Sequence, residues 1–200
     1  MSPAEFSELL RERDGFLILN HRNPDGDTLG SGAALCHALR RMGKTAFIYS
    51  NPQITERTDA YIHDFYAPED FLPETILAGD IATPGRFPRG FEGHVDFCVD
   101  HHPTNSFYAD ETLVVSEKSS CGEIVLEIIE ALCGDVAPEE ATLLYIALTT
   151  DTGCFQYMNT NADTMNCAAR LIRLGADHHK VVHDFFRRVS KARVMLEGMI

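Results

Sequence analysis

The sequence predicts an α/β fold: a mostly parallel five-stranded sheet with helices on both faces, followed by a helical C-terminal part. Three observations carry this expectation. Short apolar runs such as FLILN (16–20) and TAFIYS (45–50) are too brief for helices and lack helical periodicity, as buried strands do. Segments with helical spacing and end signals separate the first runs and make up the chain after Val115. Several apolar runs also end in acid or imidazole, and in parallel sheets the carboxyl ends of the strands are where ligands gather.

The totals are compatible with this fold. Two hundred residues suffice for one well-buried domain, and 44% apolar with 24% charged residues is the composition of an ordinary soluble globular protein. No apolar run approaches the ~20 residues of a membrane span, and no signal-peptide layout opens the chain, so a cytoplasmic protein with no membrane partner is expected. The six cysteines form no C-x-x-C pair and are expected to be reduced and largely buried. A net charge of −13 argues against gripping long duplex nucleic acid, which requires clustered Lys and Arg. It leaves a small phosphorylated substrate open, because bound cations cancel acid charge locally.

In chain order, Ser2-Pro3-Ala4-Glu5 is a capping box with proline at the first helical position, and Phe6, Leu9 and Leu10 give that helix an apolar face. FLILN is the first strand. A helix is expected from Thr28 to Met42, stopped by Gly43, which places His21-Arg22-Asn23-Pro24-Asp25-Gly26-Asp27 in a loop between strand and helix. TAFIYS is the second strand, and a helix over Thr58 to Tyr66 ends before Pro68. Ile76 to Gly79 forms the third strand with Asp80 at its end, and 84–93 is a Pro- and Gly-rich loop. Val95 to Val99 feeds Asp100-His101-His102, and Leu113 to Val115 is a short edge strand. Four helices follow, with Ser120 and Glu123 capping the first and Gly134 closing it. The second opens on Pro138 and runs to Asp151; the others cover about Asp163 to Leu174 and Asp177 to Ser190. His178 and His179 are expected at the surface. Val194, Met195, Leu196, Met199 and Ile200 continue an apolar helical pattern, expected as the start (191–200) of a linker helix to a further C-terminal domain.

The acids and imidazoles form a coherent chemistry. Hard divalent cations prefer carboxylate oxygen with some imidazole, and two cations close together need a bridging carboxylate. Asp25, Asp27, Asp80, Asp100 and Asp151 with His21, His101 and His102 exceed what one ion needs and suit two. Without cations such a cluster of carboxylates repels itself. Two cations would activate a water and hold phosphoryl oxygens for in-line attack. Pro-Asp-Gly-Asp taken alone is more often a turn with a helix cap, and adjacent histidines are often surface residues. All four segments nevertheless share a strand end or a loop facing that edge.

HRNPDGD, Asp80, Asp100-His101-His102 and Thr150-Asp151-Thr152-Gly153 resemble, in order, the four motifs of the DHH phosphoesterase superfamily over about residues 15–195. N-P-D-G-D-x-x-G-S, D-H-H-P-T-N and T-D-T-G-x-F resemble the branch of oligoribonucleases that also act as 3′-phosphoadenosine 5′-phosphate phosphatases. The resemblance implies a manganese-dependent phosphoesterase, with magnesium as the other candidate ion. By position it implies His21, Asp25 and Asp80 at one manganese, and Asp27, Asp80, His101 and Asp151 at the other. Asp80 bridges, His102 contacts phosphate, and Asp100 orients the imidazoles. Asp80, His102 and Asp100 are thus the expected catalytic residues, with Ser31 in Gly30-Ser31-Gly32 and Ser120 in Ser119-Ser120-Cys121 as substrate-side candidates beside His102. Residues 1–190 would be the catalytic domain, and short RNA or DNA oligonucleotides, linear dinucleotides or small nucleotides the substrates. The family's second, nucleotide-binding domain has no counterpart before Ile200, and a homodimer stays open.

Other readings are an inorganic pyrophosphatase or polyphosphatase of the same superfamily, and a non-catalytic nucleotide- or metal-sensing module, which would ordinarily have lost ligands. Asp25-Gly26-Asp27-Thr28 also fits the D-x-D-x-T pattern of haloacid-dehalogenase-like phosphatases. That pattern needs the first Asp directly at a strand end, where His21-Arg22-Asn23-Pro24 intervenes, and it leaves Asp100-His101-His102 unexplained.

Overall fold

The computed structural model describes residues 1–189, 194–196 and 198. Its centre is a five-stranded sheet of order β2-β1-β3-β4-β5, parallel at every pairing. The strands are β1 (Phe16–Leu19), β2 (Ala46–Ile48), β3 (Thr75–Gly79), β4 (Phe97–Asp100) and β5 (Glu111–Val114), the last at an edge as expected. Register aligns Leu19 with Ala78, Gly79 with Val99 and Asp100 with Val114. The residues that follow β1, β3 and β4 therefore emerge along one edge.

Helix α1 (Pro3–Arg11) carries the expected capping box, with the Ser2 side chain accepting from the Glu5 amide. Helix α2 (Gly26–Arg41) starts two residues earlier than expected, because the Asp25 carboxylate accepts from the amides of Asp27 and Thr28 and so acts as N-cap. α3 (Glu56–Ile62) is followed by a 3₁₀ turn over His63–Phe65. α4 (Cys121–Cys133) ends on Gly134 at φ 78°, and α5 (Pro138–Asp151) starts on proline. α6 (Ala162–Arg173) and α7 (His178–Val182) complete the set, and α7 passes into a π turn over His183–Arg187. Residues 194–196 are helical and exposed, Gly198 lies in an exposed turn, and the other residues of the expected 191–200 linker helix lie outside the described residues.

The two faces of the sheet differ, and here the expectation of helices on both faces needs correction. Phe16, Ile18, Leu77, Phe97 and Val99 pack with α1, α2, α4 and α5 into the main core, while Leu19 and Ala78 on the opposite face meet Ile81, Phe87, Phe91, Val95 and Tyr108. Those partners come from residues 80–96 and 101–110, which supply only a 3₁₀ turn at Pro84–Arg86. The right-handed β3-to-β4 and β4-to-β5 crossovers cover the face opposite to the β1-to-β2 crossover; both are short, and the first is rich in Pro and Gly. Among the described residues, no helix is long and apolar enough to cross a membrane.

Candidate metal centre

Four elements deliver the ligand candidates to the carboxyl edge. His21 follows β1, and Asp25 and Asp27 stand at the start of α2. Asp80 directly follows β3, and Asp151 is the last residue of α5. His101 and His102 follow β4. Asp80 sits at φ 60°, a left-handed conformation that an aspartate tolerates better than most residues; its amide donates to the Val99 carbonyl at 2.9 Å.

Two groups form around Asp80. His21 Nε2 lies 3.4 Å from Asp25 Oδ2 and 3.7 Å from Asp80 Oδ2. On the other side, His101 Nε2 lies 3.4 Å from Asp80 Oδ1, 3.6 Å from Asp27 Oδ2 and 3.8 Å from Asp151 Oδ2. Asp80 thus turns one oxygen to each group. His102 Nδ1 also approaches Asp80 Oδ1, at 3.4 Å. His21 Nε2, Asp80 Oδ1 and His101 Nε2 are buried and lack a hydrogen-bond partner. Burying polar atoms without partners is costly, and these atoms converge at separations too long for good hydrogen bonds yet suited to sharing a cation. The donor set, carboxylate oxygen plus imidazole nitrogen, fits a hard or borderline divalent ion.

The electrostatics fit the same reading. Burial, with the adjacent Asp80 charge, pushes the Asp27 carboxyl well above the carboxylate range, and burial likewise raises Asp80. Asp151 is pushed up to about 6, chiefly by burial and despite the opposing His101. Burial would lower the His101 imidazole, but the carboxylates of Asp80, Asp27 and Asp151 overcome it and raise the group to about 10. Asp27 is further held at the N-terminus of α4, where the amides of Cys121 and Gly122 donate to its carboxylate at 2.8 and 3.1 Å.

Asp100 is buried and touches neither group's open face. Its Oδ1 accepts from His102 Nδ1 at 2.8 Å and from the amides of His101 and His102, and its Oδ2 accepts from Asn105 Nδ2 at 2.7 Å. It orients the His102 ring alone. The expectation that it orients both imidazoles is corrected, since His101 Nδ1 faces the Lys118 carbonyl at 3.2 Å. With Nδ1 occupied, His102 keeps Nε2 for the open side; its side chain is 33% exposed.

The two substrate-side serines sit elsewhere than expected. The Ser31 hydroxyl is buried and donates to the Asp27 carbonyl at 2.6 Å, and because α2 starts at Gly26 the amides of Gly30-Ser31-Gly32 lie beyond the free first turn. Ser120 is fully buried with no partner for its hydroxyl, and Glu123 pairs with Ser119 instead. The small residues serve packing: a Cβ at Gly30 would stand 2.4 Å from the Leu143 carbonyl oxygen, and one at Gly26 2.4 Å from Thr150 Oγ1.

Sequence reasoning gave no role to Asn105, Asn159 or Thr28. Asn105 lies within the D-H-H-P-T-N string, so its position was visible but its partner was not. Asn159 Nδ2 donates to the carbonyl of Asp151 and to that of Ser119, each at 3.2 Å, and Thr28 Oγ1 donates to the Gly79 carbonyl at 2.8 Å. No local pattern marks either.

A bifunctional oligoribonuclease and PAP phosphatase, NrnA, of Thermus thermophilus is 32% identical over 194 residues, covering 94% of this chain and 60% of that protein. The protein of the same name from Mycoplasma genitalium is 27% identical over 217 residues, 96% of this chain and 63% of that one. The chain thus spans about 60% of the length of these curated relatives. An exopolyphosphatase-related protein from Bacteroides fragilis shares the fold at a TM-score of 0.85 and 22% identity, covering 99% of this chain and 64% of that one. The exonuclease RecJ bound to manganese shares it at 0.53 and 17%, covering 88% and 47%. The model of the DHH family, N-terminal domain, matches residues 15–148, which hold every ligand candidate except Asp151. The chain therefore belongs to the DHH family.

Proposed function

We propose that the protein is a metal-dependent phosphoesterase that hydrolyses phosphodiester or phosphomonoester bonds of short oligonucleotides or small nucleotides. The observation that carries this reading is the placement of the buried Asp80, with one oxygen toward His21 in its group with Asp25 and the other toward His101, which also approaches Asp27 and Asp151. Divalent cations held by those residues supply Lewis-acid activation of water and neutralise phosphoryl charge. The remaining work falls to the chain itself. Asp25 caps α2 through Oδ1 and keeps Oδ2 for the His21 side. Asp100 fixes His102 so that its Nε2 proton meets a phosphate oxygen, and the raised affinity of His102 for that proton, caused first by the Asp100 hydrogen bond, keeps it in place. Asn159 and the α4 amides hold Asp151 and Asp27 against their mutual repulsion.

The relatives' names support nucleotide substrates. In this reading manganese is the ion, residues 1–190 form the catalytic domain, and the protein works in the cytoplasm. The test uses the full-length protein with manganese: release of mononucleotide from di- to pentanucleotides, and of phosphate from 3′-phosphoadenosine 5′-phosphate. Turnover of either is expected. No turnover of either, with cations shown to be bound, would sink the proposal, and turnover of inorganic pyrophosphate alone would transfer the protein to that activity.

A further inference from the structure

We propose that Phe107 is a stacking platform for a nucleobase of the substrate, and so the residue that makes the site favour a nucleoside phosphate over a base-free one; this rests on the function proposed above. Three features meet at this position. The phenyl ring is 66% exposed, whereas the next residue, Tyr108, turns inward, its hydroxyl donating to the Ile81 carbonyl at 2.8 Å and its ring 5.1 Å from that of Phe87. The backbone of Phe107 has φ 52°, a left-handed conformation that a bulky L-residue keeps only when its surroundings hold it. The holding groups belong to the candidate site. Asn105 Oδ1 accepts from the Phe107 amide at 2.7 Å, Asn105 Nδ2 donates to Asp100 at 2.7 Å, and Asp100 accepts from His102 Nδ1 at 2.8 Å.

Three hydrogen bonds therefore connect the backbone of an exposed aromatic residue to the imidazole assigned to the phosphate. The Asn105 amide, donating to the His102 carbonyl, and the Ser106 amide, donating to the Ala82 carbonyl, fix the rest of the loop at 3.1 and 2.9 Å. A single exposed apolar side chain is ordinary on a protein surface. One with a strained backbone tied to a candidate site histidine is placed for contact. The ligand chemistry follows from the ring: a phosphate chain offers it nothing, whereas a purine or pyrimidine offers an apolar face.

The test compares affinities of the full-length protein, in calcium, for adenosine 5′-monophosphate and ribose 5-phosphate by titration calorimetry. The wild type is expected to bind the nucleotide about tenfold more tightly, within the range of base–aromatic stacking. Phe107→Ala should abolish that preference by weakening the nucleotide alone, and Phe107→Trp should keep it. Phe107→Asn, which suits a left-handed backbone, should behave like the alanine variant and guards against misfolding. Leu72→Ala removes a side chain 86% exposed just before β3, at the opposite edge of the sheet, and should change nothing. A wild type without preference, equal weakening of both ligands, or unchanged nucleotide affinity in Phe107→Ala would overturn the assignment. Base preference without turnover of either oligonucleotides or 3′-phosphoadenosine 5′-phosphate would instead overturn the phosphoesterase reading and leave this one standing.

Discussion

Replacing Asp80 with asparagine is expected to move the metal-free and metal-loaded proteins in opposite directions. The side chain is 4% exposed, with its oxygens 3.4 Å from His101 Nε2 and 3.7 Å from His21 Nε2. Asparagine preserves the volume and accepts φ 60°. Because burial, aided by the Asp25 charge, raises the Asp80 carboxyl, its ionised form destabilises the metal-free fold at neutral pH. The amide removes that cost, so the unfolding temperature in chelator should stay level or rise. With cations the order reverses. A site at a hundred times its Kd stabilises the fold by about 2.7 kcal/mol, and two such sites by about 5 kcal/mol. At about 2–4 °C per kcal/mol for a domain of this size, the wild type should gain roughly 10–20 °C. Asp80→Asn should lose most of that gain and all activity, since one substitution removes a ligand from both groups. Thermal unfolding of both proteins, first in chelator and then in excess manganese, measures each term. A variant that keeps the full metal-induced shift would refute the shared ligand, and one several degrees less stable in chelator would refute the charge argument.

Other substitutions separate packing from chemistry. Gly30→Ala forces a Cβ to 2.4 Å from the Leu143 carbonyl oxygen and 3.0 Å from the Ala147 amide nitrogen, both backbone, so α2 and α5 must part; a loss of about 1–3 kcal/mol in denaturant unfolding is expected. Gly26→Ala meets Thr150 between the ligand candidates Asp25, Asp27 and Asp151, and should reduce the metal-induced shift in unfolding temperature without removing any of them, as should Pro24→Ala. Asp100→Asn weakens the hold on His102 and should lower activity by about 10–100-fold, while calorimetric titration still shows cations bound to both groups. In the metal-free protein Asp151 binds its proton more tightly folded than unfolded. Its contribution to stability therefore falls as pH rises from about 4, the ordinary aspartate value, to about 6, and Asp151→Asn should flatten that part of the stability–pH curve.

The sequence by itself determined the strands, the parallel sheet and the ligand candidates, because each rests on local chemistry. A short apolar run makes a buried strand wherever it pairs, and an acid at its carboxyl end is carried to the ligand edge by a parallel topology. His21, Asp25 and Asp80 converge there in one group, and Asp27, His101 and Asp151 in another. The tertiary structure decided what depends on partners distant in the chain. Asp25 could be recognised as acidic and capping in type, but only the closed first turn of α2 made it the N-cap and moved the helix start forward. Ser31 and Ser120 lay in segments matched to substrate contacts, yet packing turned both inward. Helices were expected on both faces, but two crossovers were too short to form them. Hydrogen bonds assigned Asp100 to one imidazole, gave Asn105 and Asn159 their roles, and tied Phe107 to the candidate site. Composition and spacing fix which groups a chain can offer; the direction in which each group points is set by the neighbours it meets after folding.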